Sequence, residues 1–253
     1  MSATIGTRVG HFVWHELVTA DVEAAKAFYA RLFGWEFEIY KPGEMDYAMI
    51  SANGQSHGGF MAPDPSRGIP SHWLGHVLVD DADAALARAE KLGGKAAFGP
   101  VDIPEIGRFA LLADPQGGVV SAYRPAAEDG PVAAGTFLWD EFLAGDVEGA
   151  KAYYTEVFGW TTEAMDMGGA GTYTLFKRDG ESVAGVMSNP AEHVPPHWLT
   201  YIATADTDGT IEAARGLGAT VYAPAMDIEG VGRFAVLGDP SGAAFGILQP
   251  SAR

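Results

Sequence analysis

Three side chains in the first half of this sequence make up a set able to hold a divalent ion: Glu16 in the run HFVWHELV, and His72 and His76 in the run HWLGHVL. Two imidazoles and one carboxylate suit Fe(II), or another of the ions Zn, Mn and Ni, with coordination positions left open for substrate. Both runs are apolar, β-branched and aromatic enough for strands. Side chains two apart on a strand share a face, so Glu16 stands beside Trp14, and His72 and His76 flank Leu74. A metal there would act as Lewis acid, with Glu16 as ligand or general base and Arg108 steadying an anionic oxygen. The competing reading is structural. Glu16 and Glu141 would accept hydrogen bonds or pair with Arg108 and Arg233, and the His-Trp-Leu segments would fix the starts of their strands.

These residues come in two versions because the chain is written twice. GHFVWHELVTADVEAAKAFYARLFGWEFE from Gly10 returns as GTFLWDEFLAGDVEGAKAYYTEVFGWTTE from Gly135, an offset of 125 (135 − 10), and 14 of the 26 positions Gly10–Trp35 are identical. The offset also pairs His72-Trp73-Leu74 with His197-Trp198-Leu199, Gly107-Arg108-Phe109-Ala110 with Gly232-Arg233-Phe234-Ala235, and the Asp114-Pro115 and Asp239-Pro240 turns. A period this long is a whole domain and not a solenoid unit. The second copy keeps Glu141 and His197 but replaces His76 with Tyr201, so a metal would sit in the first copy alone.

The elements that must position these groups follow a fixed order. A strand over His11–Thr19 leads to Asp21 as helix cap; Val22, Ala25, Tyr29, Leu32 and Phe33 follow at helical spacing, and Gly34 stops the helix. Strands over Trp35–Tyr40, Asp46–Ala52 and Gly58–Met61 come next, with turns at Lys41-Pro42-Gly43 and Asn53-Gly54, and then a proline-rich link over Met61–Ser71. The order then restarts: a strand over Trp73–Asp80, a helix from Asp83 to Leu92 closed by Gly93, and strands near Lys95–Phe98, Arg108–Ala113 and Val119–Tyr123. The second copy has helices near Asp146–Phe158 and Asp208–Leu217. The fold class expected is α+β: two tandem domains, residues 8–125 and 135–250, joined by a linker over 126–134, each built from two βαβββ units.

Composition narrows the function. The net charge of −17, from 16 basic and 33 acidic residues, repels phosphate backbones and anionic membranes, so nucleic acid and membrane are not expected partners. The chain has no cysteine, which removes disulfides, thiolate metal sites and a cysteine nucleophile. That composition, with an N-terminus that carries no signal-like segment, places the expected protein in the cytoplasm. The Gly-rich runs around His57 and at Gly168–Gly171 lack the ending of a phosphate cradle, so no nucleotide cofactor is expected, and no serine sits in a nucleophile elbow.

Four βαβββ units, the WxxL-(x)3-D-(x)6-FY-(x)4-G run after the first strand and the DPxG turn before the last resemble the vicinal oxygen chelate superfamily, which includes glyoxalase I, extradiol dioxygenases and bleomycin-binding proteins. The resemblance covers nearly the whole chain. It implies a cupped mixed sheet with helices on the convex side, a small-molecule ligand in each cup and, as an option, homodimers joined at a sheet edge. It also implies metal ligands at positions occupied here by Trp14, Trp139, Leu74, Leu199, Ser121 and Gly246, none of them a competent ligand. On the implied concave faces Trp14, Tyr47, Tyr123, Trp139, Glu141, Tyr173, His197 and Tyr201 are the candidate ligand-binding residues, joined by Phe12 and Phe137. Trp35, Trp73, Trp160 and Trp198 fall in the opposite phase, towards the helices. The reading is therefore a glyoxalase- or dioxygenase-like protein acting on a small organic molecule, with a metal-free sequestering protein or a scaffold with filled cups as the alternatives.

Overall fold

The computed structural model describes residues 8–41, 46–52, 54–127, 136–166, 172–191 and 193–251. The chain runs β1 (Phe12–Val18), α1 (Val22–Phe33), β2 (Glu36–Tyr40), β3 (Tyr47–Ala52), β4 (Gln55–Met61), β5 (His72–Leu78), α2 (Ala82–Lys91), β6 (Lys95–Ile103), β7 (Gly107–Ala113) and β8 (Val119–Pro125). It repeats as β9 (Phe137–Ala144), α3 (Val147–Phe158), β10 (Thr161–Asp166), β11 (Thr172–Arg178), β12 (Glu181–Ser188), β13 (His197–Ala203), α4 (Thr207–Gly216), β14 (Thr220–Ile228), β15 (Gly232–Gly238) and β16 (Ala244–Pro250). The protein is α+β, with two eight-stranded mixed sheets in the orders β2-β3-β4-β1-β5-β8-β7-β6 and β10-β11-β12-β9-β13-β16-β15-β14. In each βαβββ unit the helix carries the chain back so that the fourth strand lies parallel to the first: β1 with β4, β5 with β8, β9 with β12 and β13 with β16.

Each helix begins at an aspartate. Asp21, Asp81, Asp146 and Asp206 accept from the backbone N–H three residues on, at 2.9–3.0 Å. In α2 and α4 the cap falls two residues earlier than Asp83 and Asp208, which lie instead in the first turn, where a carboxylate complements the helix dipole. Gly34 and Gly159 end α1 and α3 in the left-handed conformation, φ 70° and 68°, which costs a glycine nothing. Strand β6 runs on through Gly99-Pro100 to Ile103, beyond the Phe98 end expected. It is an edge strand, where a proline removes no ladder bond on its solvent side. The link before β5 contains a short 3-10 turn over Pro65–Arg67. The Gly168–Gly171 run, most of the 126–134 linker, and Pro42, Gly43 and Asn53 of the two expected turns lie outside the described residues.

Each sheet comes from one copy of the repeat, but the cores do not. One compact unit comprises Met1–Trp14, Gly75–Val132 and Trp139–Trp198; the other comprises His15–Leu74, Ala133–Leu138 and Leu199–Arg253. In the first, α2 (Ala82, Ala85, Ala89) and α3 (Tyr153, Tyr154, Val157) share one core with Val77, Leu112, Phe142 and Phe176. In the second, α1 (Ala25, Phe28, Tyr29) and α4 (Ile211, Ala214) share one with Leu17, Ile50, Ile202 and Phe245. Trp160 and Trp198 lie in the first core and Trp35 and Trp73 in the second, as their strand phase predicts.

A matching polar latch crosses each core. In the first unit Trp198 Nε1 donates to Tyr154 Oη (2.9 Å), and Tyr154 donates to Asp114 Oδ2 (2.7 Å). In the second Trp73 donates to Tyr29 (3.0 Å), which donates to Asp239 (3.2 Å). The other oxygen of Asp114 accepts from the N–H groups of Gln116 and Gly118, so one carboxylate ties its own turn to a helix of the other copy. Burial satisfied in this way is neutral to favourable; left unpaired, the same carboxyl would be costly.

Candidate functional site

Strand register builds the same cluster on the helix-free face of each unit. In the second unit Glu16 on β1 stands opposite Gly59 on β4, which in turn stands opposite Met49 on β3. Tyr47, two residues from Met49 and on the same face, reaches diagonally across that glycine and hydrogen-bonds Glu16. Any Cβ at position 59 would run into the Tyr47 ring. Burial pushes the Glu16 carboxyl up from its ordinary value to about 7, against the opposing pull of the Tyr47 hydrogen bond.

The first unit repeats the arrangement with its back wall in view. Glu141 on β9 stands opposite Gly185 on β12, which stands opposite Leu175 on β11, and Tyr173 crosses Gly185 to hydrogen-bond Glu141. Trp139 Nε1 donates to Tyr173 Oη at 2.7 Å. Burial first, then the charge of Glu141, hold the Tyr173 hydroxyl well above the ordinary tyrosine value, so it stays protonated. Glu141 is buried, whereas Trp139 and Tyr173 are partly buried. The internal repeat carried this signal: Glu16/Glu141, Tyr47/Tyr173 and Gly59/Gly185 each recur, but only the register shows that the tyrosine and the glycine belong to the carboxylate.

The remaining candidates fall elsewhere. In the first unit His76 pairs with Ser121 across β5 and β8, with Phe109 and Tyr123 about it at ring distances of 6.3 and 6.2 Å. The Tyr123 hydroxyl donates to the Ile106 carbonyl at 2.8 Å. At the equivalent place in the second unit Tyr201 faces Gly246, and its ring occupies the space where a side chain at 246 would go. Arg108 does not reach inward. It is bound to Asp83 (2.6 and 2.9 Å) and Asp102 (2.6 Å), as Arg233 is to Asp208 and Asp227, pinning the first turn of a helix to the sheet. Arg108 and Arg233 therefore pair with aspartates and not with Glu16 or Glu141.

His72 and His197 each use Nδ1 to donate to the carbonyl of a proline two residues back, at 2.8 and 2.9 Å, which is the strand-fixing role. The metal set of Glu16, His72 and His76 is corrected on spacing. Residues four apart on a strand have their Cα atoms about 13 Å apart, so the two imidazoles project from well-separated points. Among the described residues no group of three or more His, Cys, Asp or Glu side chains is disposed to hold a metal. Phe12 and Phe137 are corrected as well: both pack in the helix-side cores, Phe12 against Trp198 at 5.3 Å and Phe137 stacked on His15 at 4.1 Å. His57 is buried on β4 beside Thr136 (3.2 Å).

A family model described as the glyoxalase/bleomycin resistance protein/dioxygenase superfamily matches residues 8–121 and 138–247. The chain belongs to this superfamily. Over 245 residues it is 35% identical to a protein of Mycobacterium tuberculosis named "Putative glyoxylase CFP32", covering 94% of each chain. It is 29% identical to the anthracycline biosynthesis protein DnrV of Streptomyces peucetius, covering 93% of this chain and 92% of that one. Its fold is shared with the Mn(II)-bound glyoxalase of Novosphingobium aromaticivorans, at 16% identity and TM-score 0.63, covering 98% of this chain and 84% of that one. A variant of homoprotocatechuate 2,3-dioxygenase from Brevibacterium fuscum in complex with HPCA shares it too, at 13% identity and TM-score 0.64, covering 96% and 72%.

The Novosphingobium protein is described as Mn(II)-bound, but the side chains at the positions where the resemblance implies metal ligands do not fit an ion here. Trp139 is an indole whose one N–H goes to Tyr173, and indole is a donor only. Gly246 has no side chain, and Tyr201 fills the space beside it. Leu74 and Leu199 are buried hydrocarbon, and Ser121 offers a hydroxyl in place of a carboxylate or imidazole.

Proposed function

We propose that this superfamily member holds a planar organic molecule against the helix-free face of its sheets through Glu141 and Glu16, in place of an ion at the superfamily's usual ligand positions. The observation that carries this reading is the Trp139–Tyr173–Glu141 chain: a buried carboxylate held by a tyrosine, beside two partly buried aromatic rings, with Trp139 at a position where the family resemblance implies a metal ligand. Aromatic walls with a few oriented polar groups are how proteins hold small organic ligands. The relative named for anthracycline biosynthesis supports a fused-ring aromatic as the ligand class.

The test is quenching of tryptophan fluorescence by a panel of naphthols, hydroxynaphthoquinones and hydroxyanthraquinones, on protein stripped with a chelator and on the same protein resupplied with Mn(II), Fe(II), Zn(II) or Ni(II). Binding that survives chelation and is lost in Glu141→Leu supports the reading. Binding that returns only with a metal, or no binding by any member of the panel, overturns it. One observation favours a second reading, acid–base catalysis: a carboxyl at about 7 exchanges protons readily at neutral pH. A Glu16-dependent exchange of solvent deuterium into a bound ligand would distinguish a catalyst from a binder.

A further inference from the structure

We infer that Tyr153 on α3 and Gly94 at the end of α2 form a pairing key, which makes each helix of this chain pack with a helix of the other copy of the repeat and not with one of its own. Such a key governs how the chain assembles, independently of any ligand. The need for it comes from the duplication: α1 and α3 are identical at 7 of 12 positions, so little else tells the two helices apart. A choice between near-identical partners has to come from a misfit in the wrong pairing.

At the 125-residue offset Tyr153 is matched by Phe28, and Gly94 by Ala219. In the first unit Tyr153 is buried in the core that α2 and α3 share, and its hydroxyl has no hydrogen-bond partner among the described residues. A hydroxyl buried without a partner costs stability, and what this one does is fill space. It lies where a side chain at residue 94 would go. A Cβ built on Gly94 overlaps the Tyr153 oxygen and sits 2.8 Å from the Ala113 carbonyl oxygen and 3.0 Å from that of Ala89. The backbone itself does not call for glycine, because Gly94 is not among the residues with positive φ. The turn is also the same where a methyl is present: Gly94 N–H donates to the Ala89 carbonyl at 2.9 Å, and Ala219 N–H to the Ala214 carbonyl at 3.0 Å. In the second unit Ala219 packs against the core that holds Phe28. One unit thus has an oxygen on the helix and a bare turn; the other has a methyl on the turn and a bare ring. Within either copy alone the two parts do not match. The second copy would set Tyr153 against Ala219, oxygen against methyl, in a close-packed core with no room for both. The first would set Phe28 against Gly94 and leave a hole of about one methyl group.

The experiment is a pair of double-mutant cycles on the full-length protein, read by thermal unfolding. Gly94→Ala should lower the melting temperature by about 4 °C or more, the shift that overpacking gives in a chain of this length. Tyr153→Phe should leave it within about 2 °C. The two together should return it to within about 2 °C of the unaltered chain, since the pair then repeats Phe28 and Ala219. In the second unit Phe28→Tyr should destabilise and the addition of Ala219→Gly should restore. That cycle decides the matter if Gly94→Ala does not fold. Additive effects in both units overturn the inference. Partner choice is tested on the chain carrying Tyr153→Phe and Gly94→Ala, in which both units have the same pair and the key is gone. Refolded from urea at rising protein concentration, it should leave a larger fraction as misassembled oligomers on size-exclusion chromatography than the unaltered chain does. An equal fraction would show a packing contact that selects no partner, which also overturns the inference.

Discussion

Glu16 sits where its neutral form is favoured, and that has a sign for stability. A carboxyl raised from 4.5 to about 7 holds more protons in the folded chain than in the unfolded one throughout that interval. Its contribution is therefore fully present below the unfolded value and is lost as pH rises through the folded one. At about 1.4 kcal/mol per pKa unit the loss is capped near 3 kcal/mol, lessened by the solvent that reaches the partly exposed side chain. Urea unfolding at pH 5 and pH 8 should show the decline, and Glu16→Gln should remove most of it; an identical pH dependence in that variant would place the titrating group elsewhere. At this scale the sequence showed which carboxylates to watch, because Glu16 and Glu141 recur beside Trp14 and Trp139. It did not show Tyr47 and Tyr173 bound to them. A diagonal contact across Gly59 or Gly185 depends on strand register, which strand patterning alone leaves open. It also misled on His72 and His76: alternation puts them on one face, but the rise per residue sets their Cα atoms about 13 Å apart, and His72 is bound to the Pro70 carbonyl.

The elements are held by contacts between a turn and a helix from different copies, and those contacts are where destabilisation should concentrate. Tyr154 is fully buried and bonded on both sides, receiving from Trp198 and donating to Asp114. Tyr154→Phe leaves the ring packing intact and strands both partners, so it should cost about 1–3 kcal/mol, the usual penalty for a buried polar group left unpaired. Thermal or urea unfolding measures that directly, and a loss below a few tenths of a kcal/mol would mean that solvent satisfies Asp114. The Asp21 cap, the Gly34 stop and the DPxG turn were readable in advance because each depends on a few adjacent residues with fixed chemistry, whereas in α2 and α4, where two aspartates compete, the cap fell two residues before the expected start. The latch was not readable. Its tyrosine is the second of the Tyr153-Tyr154 pair of α3 and its aspartate lies in the turn before β8, and nothing local marks the two as partners. The same limit explains Arg108, whose place on a strand near a carboxylate fitted an inward role until β7 was seen to turn it towards Asp83 and Asp102.

At the scale of the molecule, one copy of the repeat supplies each sheet while both supply each core. The duplication in the sequence therefore does not describe two self-sufficient halves. Residues 8–127 on their own would keep β1–β8 but uncover the Ala85 and Ala89 face of α2, which lies in a core with α3, and would leave Asp114 without Tyr154. The complementary half would lack α1, with Phe28 and Tyr29, from the core that contains α4. An exposed apolar face of this kind is covered by association or remains a liability. Expressed alone, residues 8–127 should self-associate, covering α2 with a second copy of a helix related to its native neighbour, or should melt without cooperativity. Mixing with residues 136–253 should restore one cooperative transition and a 1:1 complex by size-exclusion chromatography with light scattering. A monomeric half that melts cooperatively near the full-length temperature would show that the shared cores add little, and that each copy of the repeat, although its core residues are divided between two compact units, folds as an independent domain after all.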